Sequence, residues 1–166
     1  MTAQLYQWTK RDRVIYFIAL LPFLMAFSFT LYLLATISLY LPVIFILFFL
    51  GINIFQAGCC VGCPYVGRFC PALFGVYLAN ILSSKMYKQK THESNSFKKN
   101  AFFAGIFVAL FFTFPFYWLF NLNWQYLVVF YGLIVVHLLL LLIILCPKCD
   151  YNKICPAGKA SRSFKK

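Results

Sequence analysis

The chain has 166 residues, of which 63% are hydrophobic, 21% aromatic and only 11% charged. A water-soluble domain of this size carries about 25% charged residues, so this composition, with a mean hydropathy of +0.83, excludes a chain soluble throughout and points to a polytopic membrane protein. The net charge of +12 is spread thinly beside apolar segments, so it reads as a topology signal with some attraction to anionic lipid, and no nucleic-acid partner is expected.

The first 13 residues form a polar N-terminus containing Lys10, Arg11 and Arg13. Four apolar runs follow that are long enough to approach the ~20 residues a bilayer core requires. The first, Val14–Ala35, is too long for a secretory signal and lacks a small-residue cleavage site. Only "TISLY" separates it from the second, Leu39–Phe55, which extends through Gln56–Cys59 if the helix is tilted. Residues 14–57 are therefore expected to form a first transmembrane hairpin.

Residues 58–100 hold a cysteine motif, then "PALFGVYLANILSSKMYKQK" (Pro71–Lys90) and a polar linker, Thr91–Asn100. Phe74, Tyr77, Leu78, Ile81, Leu82 and Met86 repeat with helical period, which predicts an amphipathic helix lying in the interface. The third run, Ala101–Phe120, contains Pro115, a residue that kinks helices. Only "NLNWQ" separates it from the fourth, Tyr126–Leu145, so residues 101–145 are expected to form a second hairpin. Residues 146–166 carry a second cysteine motif and a basic tail, and Ala160–Lys166 is expected to be disordered. The fold class expected is thus an all-α integral membrane protein with four transmembrane helices in two tandem hairpins. Each hairpin is followed by a cysteine triplet.

Three basic residues precede the first run, six lie between the second and third, and six follow the fourth, while neither hairpin tip has any. The positive-inside rule then places both termini and the central segment on the cytoplasmic face of the inner membrane. All seven cysteines fall on that face: Cys59, Cys60, Cys63 and Cys70, then Cys146, Cys149 and Cys155. Thiols there stay reduced, so clustered cysteines point to metal ligands or redox groups rather than structural disulfides.

The two motifs match each other. The first reads Cys60-x2-Cys63-x6-Cys70-Pro-Ala and the second Cys146-x2-Cys149-x5-Cys155-Pro-Ala. Both follow a hairpin, so the chain reads as a parallel repeat about an axis along the membrane normal, with the triplets brought together at the surface. Four of the seven prolines, Pro64, Pro71, Pro147 and Pro156, come directly after a cysteine. Proline in that position recurs in ferredoxin cluster motifs, where its fixed φ turns the chain away. Only three carboxylates exist (Asp12, Glu93 and Asp150), which disfavours oxygen-ligated metals and leaves soft, sulfur-ligated chemistry.

Cys59-x3-Cys63-Pro64 after an apolar helix resembles the C-x3-C-P element of membrane-bound polyferredoxins, the four-helix quinol-linked iron–sulfur subunits of the periplasmic nitrate reductase type. The resemblance covers the hairpin architecture and about fifteen residues of motif. It implies membrane electron transfer, with Cys59 and Cys63 at the matching positions. The second motif departs from it, having Tyr151 where C-x3-C-P would need a cysteine.

Cys60, Cys63, Cys70, Cys146, Cys149 and Cys155 are the candidate metal ligands, with Cys59 a further candidate. Seven thiolates do not complete two four-cysteine clusters. One [4Fe–4S] cluster shared between the triplets, or two clusters of which one has a non-cysteine ligand, are both open. Zinc held by four thiolates is the structural alternative, and thiol–disulfide or soft-metal transfer is the other redox alternative. His137, in the middle of the fourth run, is a candidate quinone partner or haem ligand; a histidine satisfied by a neighbouring helix is the plainer reading. No Ser–His–Asp set, phosphate loop or carboxylate pair is present. The sequence therefore points to an electron-transfer subunit rather than a self-contained enzyme. A redox protein or a second copy of the chain is the expected partner, and a quinone is a candidate one.

Overall fold

A computed structural model describes residues 6–60, 69–70, 81, 95–149 and 161. Among the described residues every regular element is helical. Helix α1 is Lys10–Ile37 and α2 is Tyr40–Cys60. Helix α3 is Asn95–Leu122 and α4 is Trp124–Leu140. Helix α4 continues into one wide π-type turn, Leu141–Leu145, and a tight 3₁₀ turn, Cys146–Lys148.

Four helical segments are long and apolar enough to cross a membrane: Lys10–Ile37, Tyr40–Cys60, Phe97–Leu122 and Trp124–Lys148. The shortest, 21 residues, spans about 31 Å at 1.5 Å per residue, against a hydrocarbon core of about 30 Å. A backbone in lipid must satisfy its own polar groups, which is why apolar runs of this length become uninterrupted helices. Their exposed surfaces are largely apolar: Met25, Tyr32 and Phe102 are 61%, 69% and 66% exposed. In water such faces would be aggregation sites; in lipid they are solvated.

The helices run further than the apolar runs. Helix α3 starts six residues ahead of Ala101, inside the stretch expected to be a linker, because Asn95–Asn100 contains neither glycine nor proline and its two lysines are good helix formers. The breaks shrink to Ser38–Leu39 and Asn123. Asn123 caps α4: its side-chain oxygen accepts from the Gln125 N–H at 2.9 Å and its carbonyl from the Tyr126 N–H at 3.0 Å. Ser38 does the same for α2, its hydroxyl accepting from the Tyr40 N–H at 3.4 Å and its carbonyl from the Leu41 N–H at 3.2 Å. Ser and Asn favour these positions because their side chains take orphan N–H groups of a first helical turn. Helix α3 runs through Pro115, which is fully buried.

The chain divides into two compact units, and both divisions fall inside helices, within α1 and within α4. The unit Ser28–Val128 is held by aromatic packing between α2 and α3. Phe45 stacks on Phe111 (centroids 4.5 Å apart), Phe48 meets Phe114 edge-on (5.4 Å), and Phe55 stacks on Phe103 (5.2 Å). Phe45 and Phe48, early in α2, meet Phe111 and Phe114, whereas Phe55, later in α2, meets Phe103, early in α3, so the two helices are antiparallel. Gly51 sits where the Phe107 ring presses against α2, and a β-carbon there would overlap that ring. These contacts pair α2 with α3, the helices on either side of the central segment. Without a hydrophobic force between helices in lipid, close approach at small residues selects partners.

The other unit comprises Met1–Phe27 and Val129–Lys166. Its described core is Tyr16, Ala19, Phe23, Phe130, Ile134 and Leu145. Contacts of Asp12 with Lys148 and of Ala19 with His137 place the start of α1 antiparallel to the end of α4.

Candidate functional site

The end of α4 is shaped by Pro147. In a regular α-helix its ring would collide with the carbonyl four residues earlier, and it has no N–H to continue the ladder. The chain widens instead: the Cys146 N–H donates to the Leu141 carbonyl, five residues back. That shift takes from the Leu142 carbonyl its normal donor, Cys146, and the next residue in line is the proline. The orphaned carbonyl is satisfied from far along the chain. Ser161 Oγ donates to Leu142 O at 2.7 Å, and Ser161 is buried. The expectation of disorder from Ala160 onward is therefore corrected at Ser161; the rest of that tail lies outside the described residues. The composition of the tail is polar and basic, but an orphaned carbonyl waits for this hydroxyl.

After the π turn, Cys146-Pro147-Lys148 tightens to 3₁₀ geometry and the Cys149 N–H donates to the Cys146 carbonyl at 3.2 Å. Side chains three apart on such a turn lie on the same side, the spacing a two-sulfur chelate requires. Both cysteines are half-buried.

The start of α1 reaches this turn. Thr9 and Asp12 form a reciprocal capping box. Thr9 Oγ1 accepts from the Asp12 N–H at 3.2 Å, and Asp12 Oδ2 accepts from the Thr9 N–H at 3.0 Å and the Thr9 hydroxyl at 2.8 Å. Tyr6 adds its phenol to the same oxygen at 3.1 Å. The second oxygen, Oδ1, accepts from Lys148 Nζ at 2.6 Å. Asp12 is 2% exposed and stands ahead of the apolar run that begins at Val14. Lys148, Thr9 and Tyr6 between them pair both oxygens of this buried carboxylate. Burial and the bond to Asp12 push the Tyr6 phenol up.

Cys59 and Cys60 are the last two residues of α2, both half-buried, and Cys70 is half-buried as well. Asn53, Ala57 and Cys60 follow one another at helical spacing of four and three. Asn53 and Ala57 are buried, and Asn53 Nδ2 donates back to the Phe49 carbonyl at 2.8 Å. Cys63 and Cys155 lie outside the described residues, as do the interfacial helix apart from Ile81, which is exposed, and the two other acidic residues. Each triplet is thus seen through two of its members. Among the described residues no three His, Cys, Asp or Glu side chains converge on one metal-sized point.

His137 is 1% exposed. Its Nδ1 lies 2.6 Å from the Ala19 carbonyl and its ring tilts against Phe23 (centroids 5.3 Å apart). A carbonyl only accepts, so Nδ1 carries the hydrogen and in the neutral ring Nε2 presents a lone pair. Nε2 is buried without a hydrogen-bond partner among the described residues. The plain reading, a histidine satisfied by a neighbouring helix, thus holds for one of its two nitrogens.

Sequence reasoning passed over Asp12, Lys148, Ser161 and Asn53. The Thr9-x2-Asp12 spacing was a readable signal for the capping box, and Asn53 was a polar residue inside an apolar run. Nothing in the sequence pairs Lys148 with Asp12, 136 residues earlier. The chain matches no family model, no curated protein and no solved structure.

Proposed function

We propose that this chain is an inner-membrane electron-transfer protein carrying one or two [4Fe–4S] clusters on Cys60, Cys63, Cys70, Cys146, Cys149 and Cys155, with Cys59 in reserve. The observation that carries the reading is the placement of the cysteines: Cys59 and Cys60 end α2, and Cys146 and Cys149 sit on the turn that ends the fourth spanning segment. Both helix ends carry cysteines, and the one described carboxylate, Asp12, is occupied by Lys148. The donor set left is sulfur, which fits iron–sulfur chemistry and soft metals better than oxygen-ligated ions.

A cluster of this kind supplies one-electron transfer. The chain's own part is to hold thiolates at the membrane surface, where backbone N–H groups such as that of Cys149 define the turn, and to bring the site into reach of lipid-soluble and soluble partners. The distribution of basic residues, read by the positive-inside rule, supports a cytoplasmic position for both termini and all seven cysteines. On this reading the chain is a subunit that passes electrons between a membrane donor, a quinone among the candidates, and a redox enzyme or a second copy of itself.

The test is a set of single Cys→Ser variants, assayed for iron after anaerobic purification, combined with a membrane-impermeant maleimide applied to right-side-out and inverted vesicles. Loss of iron in Cys60→Ser and Cys146→Ser, with labelling only in inverted vesicles, is the expected result. Labelling from the outer face would overturn the orientation. Iron content indifferent to every cysteine would overturn the ligand assignment.

A further inference from the structure

We infer that Asp12 is a positioning residue for the second cysteine motif: by holding Lys148, it fixes Cys146 and Cys149 as a preformed two-sulfur chelate for a thiophilic metal ion. The inference rests on the reading of these cysteines as metal ligands and adds to it a control that lies outside both motifs.

Three observations lead there. Asp12 is one of only three acidic residues in a chain of net charge +12, and it is buried. A buried carboxylate is costly unless its oxygens are paired and hydrogen-bonded. Capping α1 needs only one of those oxygens: Oδ2 completes the box with Thr9 and takes the Tyr6 phenol. The other oxygen goes to Lys148. Lys10, Arg11 and Arg13 are far closer in sequence and lie exposed, yet the cation that reaches Oδ1 comes from inside Cys146-Pro147-Lys148-Cys149.

The hold acts where the helix ladder stops. Pro147 has no N–H to continue that ladder, and within the turn the Cys149 N–H donates to the Cys146 carbonyl. Ser161 secures the helix on its upstream side, at Leu142, and Lys148 on Asp12 secures the turn between the two sulfurs. A turn fixed from both sides does not lose its conformational freedom again when a metal binds, which is how groups outside the ligand set raise affinity.

The experiment uses the full chain in detergent, stripped of bound iron and zinc, reduced and anaerobic, titrated with Co²⁺, whose sulfur-to-metal charge-transfer absorption reports thiolate ligation directly. Cys146→Ser must diminish that band if the ion sits on this motif; an unchanged band would overturn the proposal. Asp12→Asn and Lys148→Gln are each expected to weaken Co²⁺ binding by about 10- to 100-fold, the cost typical of losing a group that orients ligands. Helix content, followed by circular dichroism, should stay unchanged. The exchanged pair, Asp12→Lys with Lys148→Asp, should recover most of the loss, a rescue that a general loss of folding would not give. A wild-type band with normal affinity in Asp12→Asn would overturn the positioning role and leave the ligand reading standing. Absence of any sulfur-to-cobalt band in the wild-type chain would overturn both.

Discussion

Replacing Gly51 with alanine sets two known effects against each other at the α2–α3 contact. Alanine is favoured over glycine inside a helix by about 1 kcal/mol, so at an open position the change would stabilise. At Gly51 the added β-carbon falls within the Phe107 ring, only 2.8 Å from its Cγ and closer still to Cδ1 and Cε1. The ring has little room to rotate away, because Phe55 lies against it at 5.4 Å and Phe48 at 6.5 Å between centroids. Overpacking of this kind costs about 1–3 kcal/mol, and overlap with three ring atoms belongs at the upper end. The expected net effect is therefore a loss of about 1–2 kcal/mol once the helix gain of about 1 kcal/mol is set against it. In the double variant Gly51→Ala/Phe107→Ala the clash is gone, so a coupling of about 2 kcal/mol should appear in the cycle. Unfolding in mixed micelles with increasing dodecyl sulfate, followed by tryptophan fluorescence, measures all four states. A Gly51→Ala variant more stable than wild type, with additive effects in the cycle, would refute the close approach of α2 and α3.

Ser161→Ala removes the hydroxyl that satisfies Leu142 and leaves a buried carbonyl without its donor, which costs about 1–3 kcal/mol. Hydrogen exchange at the Cys146 and Cys149 amides should quicken while the α2–α3 amides stay unchanged; uniform exchange would place the effect elsewhere. Lys148→Gln leaves Asp12 Oδ1 without its cation, which should cost about 1–3 kcal/mol. Unchanged stability in the same micelle titration would contradict the pair. His137→Phe keeps a ring of similar volume but deletes the Nδ1–H bond to the Ala19 carbonyl together with an Nε2 that has no hydrogen-bond partner among the described residues, so stability should fall by about 0.5–1.5 kcal/mol. A loss of about 3 kcal/mol or more would mean that Nε2 serves a group beyond those residues.

The spans were legible because four apolar runs near the length of a bilayer core, with charges only outside them, admit one class of fold. Their ends were less so. Lys10, Cys60 and Asn95 lie past the apolar runs, yet helix continues there because nothing in those stretches stops it. The choice of helix partners was not legible at all. Each span is apolar around its whole circumference, so no stripe marks a facing side, and the pairing of α2 with α3 depends on Gly51 meeting Phe107. At the candidate site, the position of Cys146 and Cys149 at a helix end could be read directly. The groups that hold them could not: Ser161 answers a carbonyl orphaned by a proline fourteen residues earlier, and Lys148 finds Asp12 at the other end of the chain. Both contacts arise from the return of the chain in space, which local spacing does not encode. The capping box of Thr9 and Asp12 is the exception, a local pattern present in "TKRD".

Metal content tests the central claim most directly. The full chain, purified anaerobically in detergent, should contain iron and acid-labile sulfide in equal amounts, about four or about eight per chain, and should give a cluster signal by electron paramagnetic resonance after reduction with dithionite. About one zinc per chain without sulfide would contradict electron transfer and leave the cysteines as a structural clamp. Thiols that titrate fully with no metal bound would contradict metal binding altogether.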